Sequence, residues 1–288
     1  MAWESGSFIM APSKRQSSRA ALILLKASRP VRKWKRMTYV TQIPAAVGPK
    51  LEENGALTRY RLHGSPDSAN LVVRMMLEEL GEAYDYVPVD RLTSQQKSPA
   101  YRKLNPQGLI PVLEAPGQDA PLFETGAILL FLSDRHAQLA PGAASPARGR
   151  FLKWLFYLSN TLHSDLRISF KVKRYLPDQS RHQLFSDTLI ERIGAGFQFL
   201  EAELETGSGP FLLGEDVSCV DLYLAACVRW AQIYGNSGKW DLAGTPCLQQ
   251  LMETLEDRPA LRLACQKEGI EGLPFTKPVP VTLPGVRG

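Results

Sequence analysis

The stretch NPQGLIPVLEAPGQDAPLFETGAILLFL, residues 105–132, restricts the possible folds of this chain more than any other. Pro111 stands between two apolar pairs, Leu109-Ile110 and Val112-Leu113. Proline has no N–H to give to a ladder, and it pushes the residue before it out of helical backbone. A helix through these residues is excluded, and the run IPVLE reads as a strand that begins at the proline. It is followed by the turn cluster APGQDA, a second short run PLF, and the helical pattern ETGAILLFLSDRH. Two strands with so short a link must form an antiparallel hairpin, because a parallel pair needs a long crossover.

The preceding residues supply the other half of a sheet. LTRYRLH alternates apolar and polar residues, as a half-buried strand does, and GSPDSAN is a turn cluster. NLVVRMMLEELG carries Leu71, Val72, Met75, Met76 and Leu80 at helical spacing and stops at Gly81. AYDYVPVD is a second strand. Two strands joined through one helix predict a right-handed parallel βαβ unit. SPAYRKLN, with Pro99 near its first turn, predicts a short helix before the hairpin. The order βαβαββα gives a mixed four-stranded sheet over residues 57–137.

LAPGAASPARG interrupts this pattern, which sets a linker at residues 138–145. Helical periodicity then dominates residues 146–269. ARGRFLKWLFYLSNTLHSDL and SDTLIERIGAGFQFLEAELE are amphipathic, whereas SCVDLYLAACVRWAQIY is apolar all round and predicts a helix at the centre of a bundle. Residues 270–288 are rich in Pro and Gly and are expected to be irregular. The fold class is therefore α/β plus all-α, with the α/β part first.

Charge separates the amino-terminal segment from the rest. Residues 1–57 hold ten Lys and Arg against three Glu, whereas the remaining residues hold 24 basic against 26 acidic side chains. Residues 1–56 are read as a basic, disordered leader; their Arg- and Ser-rich, acid-poor character also suits a transit peptide or a start placed too far upstream. The folded part has no basic surplus, so nucleic acid is not an expected partner. No run reaches the roughly 20 apolar residues of a membrane helix. Cys219, Cys227, Cys247 and Cys265 form no CxxC pair and no His-containing cluster, so they are expected to be reduced, buried thiols in a cytoplasmic protein without a metal.

Three motifs in order, NPQGLIPVLE, LFETGAILLFL and LLGEDVSCVDLYLA, resemble the glutathione S-transferase superfamily, in particular its serine-type, bacterial-looking members. The likeness extends from Leu57 to about Gly269. It implies a thioredoxin-like βαβαββα domain followed by an all-helical bundle, with glutathione as co-substrate and a two-fold homodimer as the assembly. It further implies a cis bond before Pro111, so that the main chain of Ile110 meets the cysteinyl part of glutathione as an added strand would. Thr125 would bind the γ-glutamyl carboxylate with its hydroxyl and N–H, a role that suits the unpaired N–H groups of a helix start. Glu124 would accept from the amino group of the same residue, and Gln107 and Asn105 lie near enough to reach the peptide. Capping of the helix by Thr125 and Glu124 is compatible with these roles. Ser218 and Asp221 form the S-x-x-D variant of a capping box, which is structural.

The implied chemistry is activation of a thiol. A free thiol with a pKa near 8.5 is only a few per cent thiolate at neutral pH. A hydroxyl donating to the sulfur beside a helix start favours the anion. The relevant stretch is HGSPDSAN, which has neither Cys nor Tyr. Ser68 at the helix entry is the first candidate and Ser65 the second, and both can equally act as helix caps. Ungapped counting back from Val73-Arg74 falls on Asp67 or the residue after it, and a carboxylate at Asp67 would repel a thiolate. His63, in the strand, is a minor candidate. A small electrophile would occupy a pocket between the two domains, lined by Tyr157, His163, Phe170, Trp230 and Tyr234. Lys171, Lys173 and Arg174 form a basic run beside it. The contrasting reading is a non-catalytic relative that binds glutathione or a protein partner on the same scaffold.

Overall fold

The computed structural model describes residues 57–234 and 239–281. The expected leader, and the part of the expected tail from residue 282 onward, lie outside the described residues.

The sheet-bearing half runs β1 (Tyr60–Gly64), α1 (Asn70–Leu80), β2 (Tyr84–Pro88), a short α2 (Pro99–Arg102), β3 (Val112–Glu114), β4 (Leu122–Phe123) and α3 (Thr125–His136). The strand order is β2-β1-β3-β4. β1 pairs parallel with β2, Tyr60 opposite Tyr84, and antiparallel with β3, Leu62 opposite Leu113. The hairpin closes with Val112 opposite Phe123. This is the βαβαββα arrangement of a thioredoxin-like domain. α1 turns Leu71, Val72, Met75 and Met76 into the core and ends at Gly81, whose φ of 69° is the left-handed conformation that glycine adopts without strain.

The helical half comprises α4 (Arg148–Phe156), α5 (His163–Phe170), α6 (Val172–Tyr175), α7 (His182–Thr206), α8 (Cys219–Ile233), α9 (Pro246–Glu256) and α10 (Pro259–Lys267). The long amphipathic run after the linker is interrupted: residues Tyr157–Leu162, between α4 and α5, are wound as a π-helix. Leu158 and Leu162 both remain buried across this wider turn. Apolar spacing alone cannot distinguish such a local widening from continuous α-helix.

α8 is the centre of the bundle, with Val220, Leu222, Leu224, Val228 and their neighbours fully enclosed. Its start carries the capping box: Ser218 gives both its N–H and its hydroxyl to Asp221, at 2.8 and 2.7 Å, and Asp221 also accepts from the Leu212 N–H at 2.8 Å. α1 packs against α8 and α10 as well as α3, so one continuous apolar core joins Leu62 and Met75 to Leu222, Leu251 and Leu261. The four cysteines are free thiols; Cys219, Cys227 and Cys265 are buried as expected, whereas Cys247 is only half-buried, and burial raises Cys219 and Cys265 to about 12 and, with Glu201 adding to it, Cys247 to about 11, which favours the protonated thiol. Among the described residues no helix is long and apolar enough to cross a membrane.

Candidate functional site

The loop before β3 is built to present one residue. Asn105, buried, donates from Nδ2 to the Leu109 carbonyl at 2.9 Å and accepts from the Gln107 N–H at 3.1 Å. Tyr101 Oη donates to the same Leu109 carbonyl at 3.0 Å. The Ile110–Pro111 peptide is cis. Leu109 is thus engaged and Pro111 has no N–H, whereas no hydrogen bond among the described residues uses the N–H or C=O of Ile110. A main-chain donor and acceptor left open at the end of a strand can take an extended peptide as an added strand.

The amino end of α3 lies on the same side. Glu124 precedes it with φ of 70°, and Gln107 Nε2 donates to Glu124 Oε1 at 3.1 Å, so the two candidate peptide-binding side chains meet. Thr125, 6% exposed, opens the helix; its hydroxyl lies beside the buried phenol of Tyr223. The first-turn N–H groups of this helix have no intrahelical acceptors and suit a carboxylate.

The turn between β1 and α1 has a different character. Asn70 folds back over it: its Oδ1 accepts from the Ser65 N–H at 2.9 Å and from the Ser68 hydroxyl, which also lies 2.8 Å from the Ser65 carbonyl. Gly64 makes this possible, since a Cβ there would come within 2.4 Å of the Asn70 side chain. The proton of Ser68 is therefore committed inside the turn. The Ser65 hydroxyl has no hydrogen-bond partner among the described residues.

Asp67, at φ of 51°, faces inward rather than toward a ligand. Its carboxylate receives Arg229 Nε and Nη2 at 2.9 and 2.8 Å, and Tyr234 Oη donates to it as well. The expected repulsion of a thiolate by Asp67 is thereby corrected, because a fully enclosed guanidinium neutralises the charge. Asp67 N–H and Asn70 Nδ2 both donate at 2.8 Å to Glu268, at the end of α10. Arg74 Nε lies 2.9 Å from the same carboxylate but off the N–H direction, an ion pair rather than an aligned hydrogen bond, and its guanidinium covers the Tyr86 ring at 3.8 Å. Burial pushes the Glu268 carboxyl up to about 7 against the opposing pull of Arg74. His63 is accounted for by Glu114, 2.6 Å from its Nε2 on the adjacent strand.

The candidate pocket aromatics fall into three groups. His163 and Trp230 lie with ring centroids 5.0 Å apart, and Tyr223 Oη is 2.8 Å from His163 Nδ1. Burial lowers the imidazole to about 4, with Arg167 adding to the effect, so it is neutral near pH 7. Tyr234 packs edge-on against Phe170 at 5.7 Å. Tyr157 belongs elsewhere: its ring meets Trp154 and Phe199, and its hydroxyl donates to the Gly196 carbonyl at 3.3 Å. Sequence reasoning missed Asn70, Arg229, Tyr223 and Glu268. Arg229 had a visible signal, a lone cation in an otherwise apolar helix, whereas Glu268 had none. Among the described residues no three His, Cys, Asp or Glu side chains gather as metal ligands would.

A thioredoxin-like sheet with an open main-chain edge beside a helix start is joined through one core to an all-helical domain. Residues 71–135 match the family model described as the N-terminal domain of glutathione S-transferase, and residues 163–259 match that of its C-terminal domain. The maleylacetoacetate isomerase of Dictyostelium discoideum is 31% identical over 179 residues, 60% of this chain and 77% of the relative. Glutathione S-transferase GstB of Escherichia coli is 27% identical over 203 residues, 70% of this chain and 95% of the relative. A crystal structure of a glutathione transferase homolog from Sulfitobacter, with bound glutathione, superposes with a TM-score of 0.65 at 28% identity, covering 73% of this chain and 99% of that one. The chain belongs to the glutathione S-transferase superfamily.

Proposed function

We propose that the protein is a glutathione-dependent transferase, in which the bound thiol attacks a small electrophile. The observation that carries this reading is the open N–H and C=O of Ile110 beside the amino end of α3. In this reading the cysteinyl main chain pairs with Ile110, Thr125 and the first-turn N–H groups take the γ-glutamyl carboxylate, and the Glu124–Gln107 pair takes the amino group. That arrangement directs the thiol toward the turn after β1. Of the two serines there, Ser65 is the better donor to sulfur, because its hydroxyl is uncommitted whereas that of Ser68 serves Asn70 and the Ser65 carbonyl. Such a hydrogen bond to the anionic form shifts the thiol toward thiolate without metal or cofactor groups on this chain. His163, Trp230 and Tyr234 remain the pocket candidates, and Tyr157 is set aside. The relatives named above, among them a structure with bound glutathione, support the same class of ligand. A cytoplasmic homodimer is part of the proposal and follows from family likeness.

Calorimetric titration with glutathione tests the reading. Saturable binding in the micromolar to low millimolar range is expected, accompanied by turnover of an activated aryl halide or enone. The committed hydroxyl of Ser68 favours one alternative, a glutathione-binding or interaction module without turnover. Binding without reaction toward either electrophile would select it, and absence of binding at millimolar ligand would leave a scaffold.

A further inference from the structure

A cavity of about 540 Å³ opens where α5 passes through α6 into α7, lined by Phe170, Lys171, Lys173, Arg174 and His182 among others. Its Phe170 wall touches the Tyr234 ring, and Tyr234 is bonded to Asp67 in the turn that carries Ser65 and Ser68. The cavity therefore lies one side chain away from the elements that hold that turn. Its charged lining residues are all basic, beside the neutral Ser169, Gln183 and Ser186. Elsewhere on the described surface Arg148, Arg192 and Arg262 each find a carboxylate. Lys171, Lys173 and Arg174 have no carboxylate partner among the described residues, and neither does Arg91, in the loop after β2. His182 Nε2 is 2.8 Å from the Leu176 carbonyl, which keeps its ring within the local backbone network.

The cations also crowd one another. Partial burial lowers the Lys171 ammonium from its ordinary value, and the nearby charges of Arg91 and Arg174 lower it further. Arg91 also acts on Tyr234, so it approaches the same place from the sheet-bearing half. Like charges gathered around a concavity without counter-charges are destabilising until an anion enters.

We propose that this cavity receives the carboxylate of an anionic electrophile, with Lys171 and Arg174 as its cationic partners, Arg91 beside them and Phe170 against its apolar body. The inference rests on the transferase reading and names the substrate class for it. Glutathione also carries carboxylates, and its glycyl end is the competing occupant.

Three measurements on the full chain separate these cases. Equilibrium dialysis with 4-nitrobenzoate and with its neutral isostere 4-nitrobenzamide reads the cavity directly and needs no turnover. The benzoate is expected to bind about tenfold tighter than the amide, and the Lys171→Gln/Arg174→Gln double variant, whose two side chains have no carboxylate partner among the described residues, is expected to lose that preference. Calorimetry is expected to give the same glutathione affinity for both proteins. Equal binding of the two probes by the wild type overturns the proposal, as does a carboxylate preference that survives the double substitution. A double variant that loses glutathione affinity while keeping its probe preference assigns the cations to the glycyl carboxylate and also overturns it. Failure of the transferase reading shows separately, as absence of a glutathione signal in the wild type.

Discussion

The two sides of the proposed glutathione site are built in opposite ways. On the Ile110 side, the bonds that hold the Leu109 carbonyl and the start of the loop are local: Tyr101 and Asn105 donate to Leu109, and Gln107 donates to Asn105. The result is a main chain left open. On the Ser65 side, the turn is closed and is held from far along the chain, by Arg229 and Tyr234 through Asp67 and by Glu268 through Asn70 and the Asp67 N–H. The proposed binding can thus be specified by a short stretch, whereas the position of the proposed activating hydroxyl depends on α8 and the end of α10 in the helical half. The first is a property of local backbone, the second of the assembled core.

Substitutions can break or sharpen this contrast. The largest effect is expected at Arg229→Met, which leaves the buried Asp67 carboxylate without its counter-charge and should cost about 3–5 kcal/mol in urea denaturation. Under conditions where that variant is still folded, its glutathione affinity should stay within about threefold of wild type while turnover falls, since the Ile110 side does not depend on Arg229. A parallel loss of affinity would show that the two sides are one unit. Next is Ser65→Ala. A loss of about two pKa units of thiol activation, from roughly 6.5 to 8.5, should lower the thiolate fraction and turnover near neutral pH by about 25-fold. Spectrophotometric titration of the bound thiol checks the cause, and the same loss in Ser68→Ala instead would return the role to that residue. Thr125→Ala should weaken glutathione by at least about tenfold, as expected for a hydrogen bond to a charged group, and unchanged affinity by calorimetry would remove the carboxylate assignment. The smallest is Ser218→Ala, which loses a helix cap distant from either side. It should cost about 1 kcal/mol of stability with kcat unchanged, and a selective fall in kcat would give the capping box a catalytic connection.

The same contrast explains what could be read in the sequence. The order of elements, the hairpin and the central position of α8 followed from local signals: alternation around β1, a proline just before β3, and an apolar run from Leu222 to Val228. Ile110, Pro111 and Thr125 stood out because a short motif carries them. Ser65 and Ser68 were visible, but their ranking depended on which hydroxyl is committed, and that is decided by Asn70 folding back over Gly64. The role of Asp67 was misread because its partner lies on α8, and no pattern near residue 67 announces it. Tyr157 was grouped with His163 and Trp230 because helical spacing indicates a shared face but not the neighbouring element. Trp154 and Phe199 claim its ring, and Gly196 its hydroxyl.

The chain beyond α10 takes part in this architecture. Pro274 and Val279 lend their carbonyls to Arg229, and Glu256 collects the N–H groups of Phe275 and Thr276. Phe275 is fully enclosed. Anyone trimming this protein for expression would see a proline-rich end and cut it, yet that end holds the guanidinium that holds the turn. On the proposed reading, a shortened version keeps the Ile110 side and loses the turn that carries Ser65, and a binding assay alone would pass it as sound.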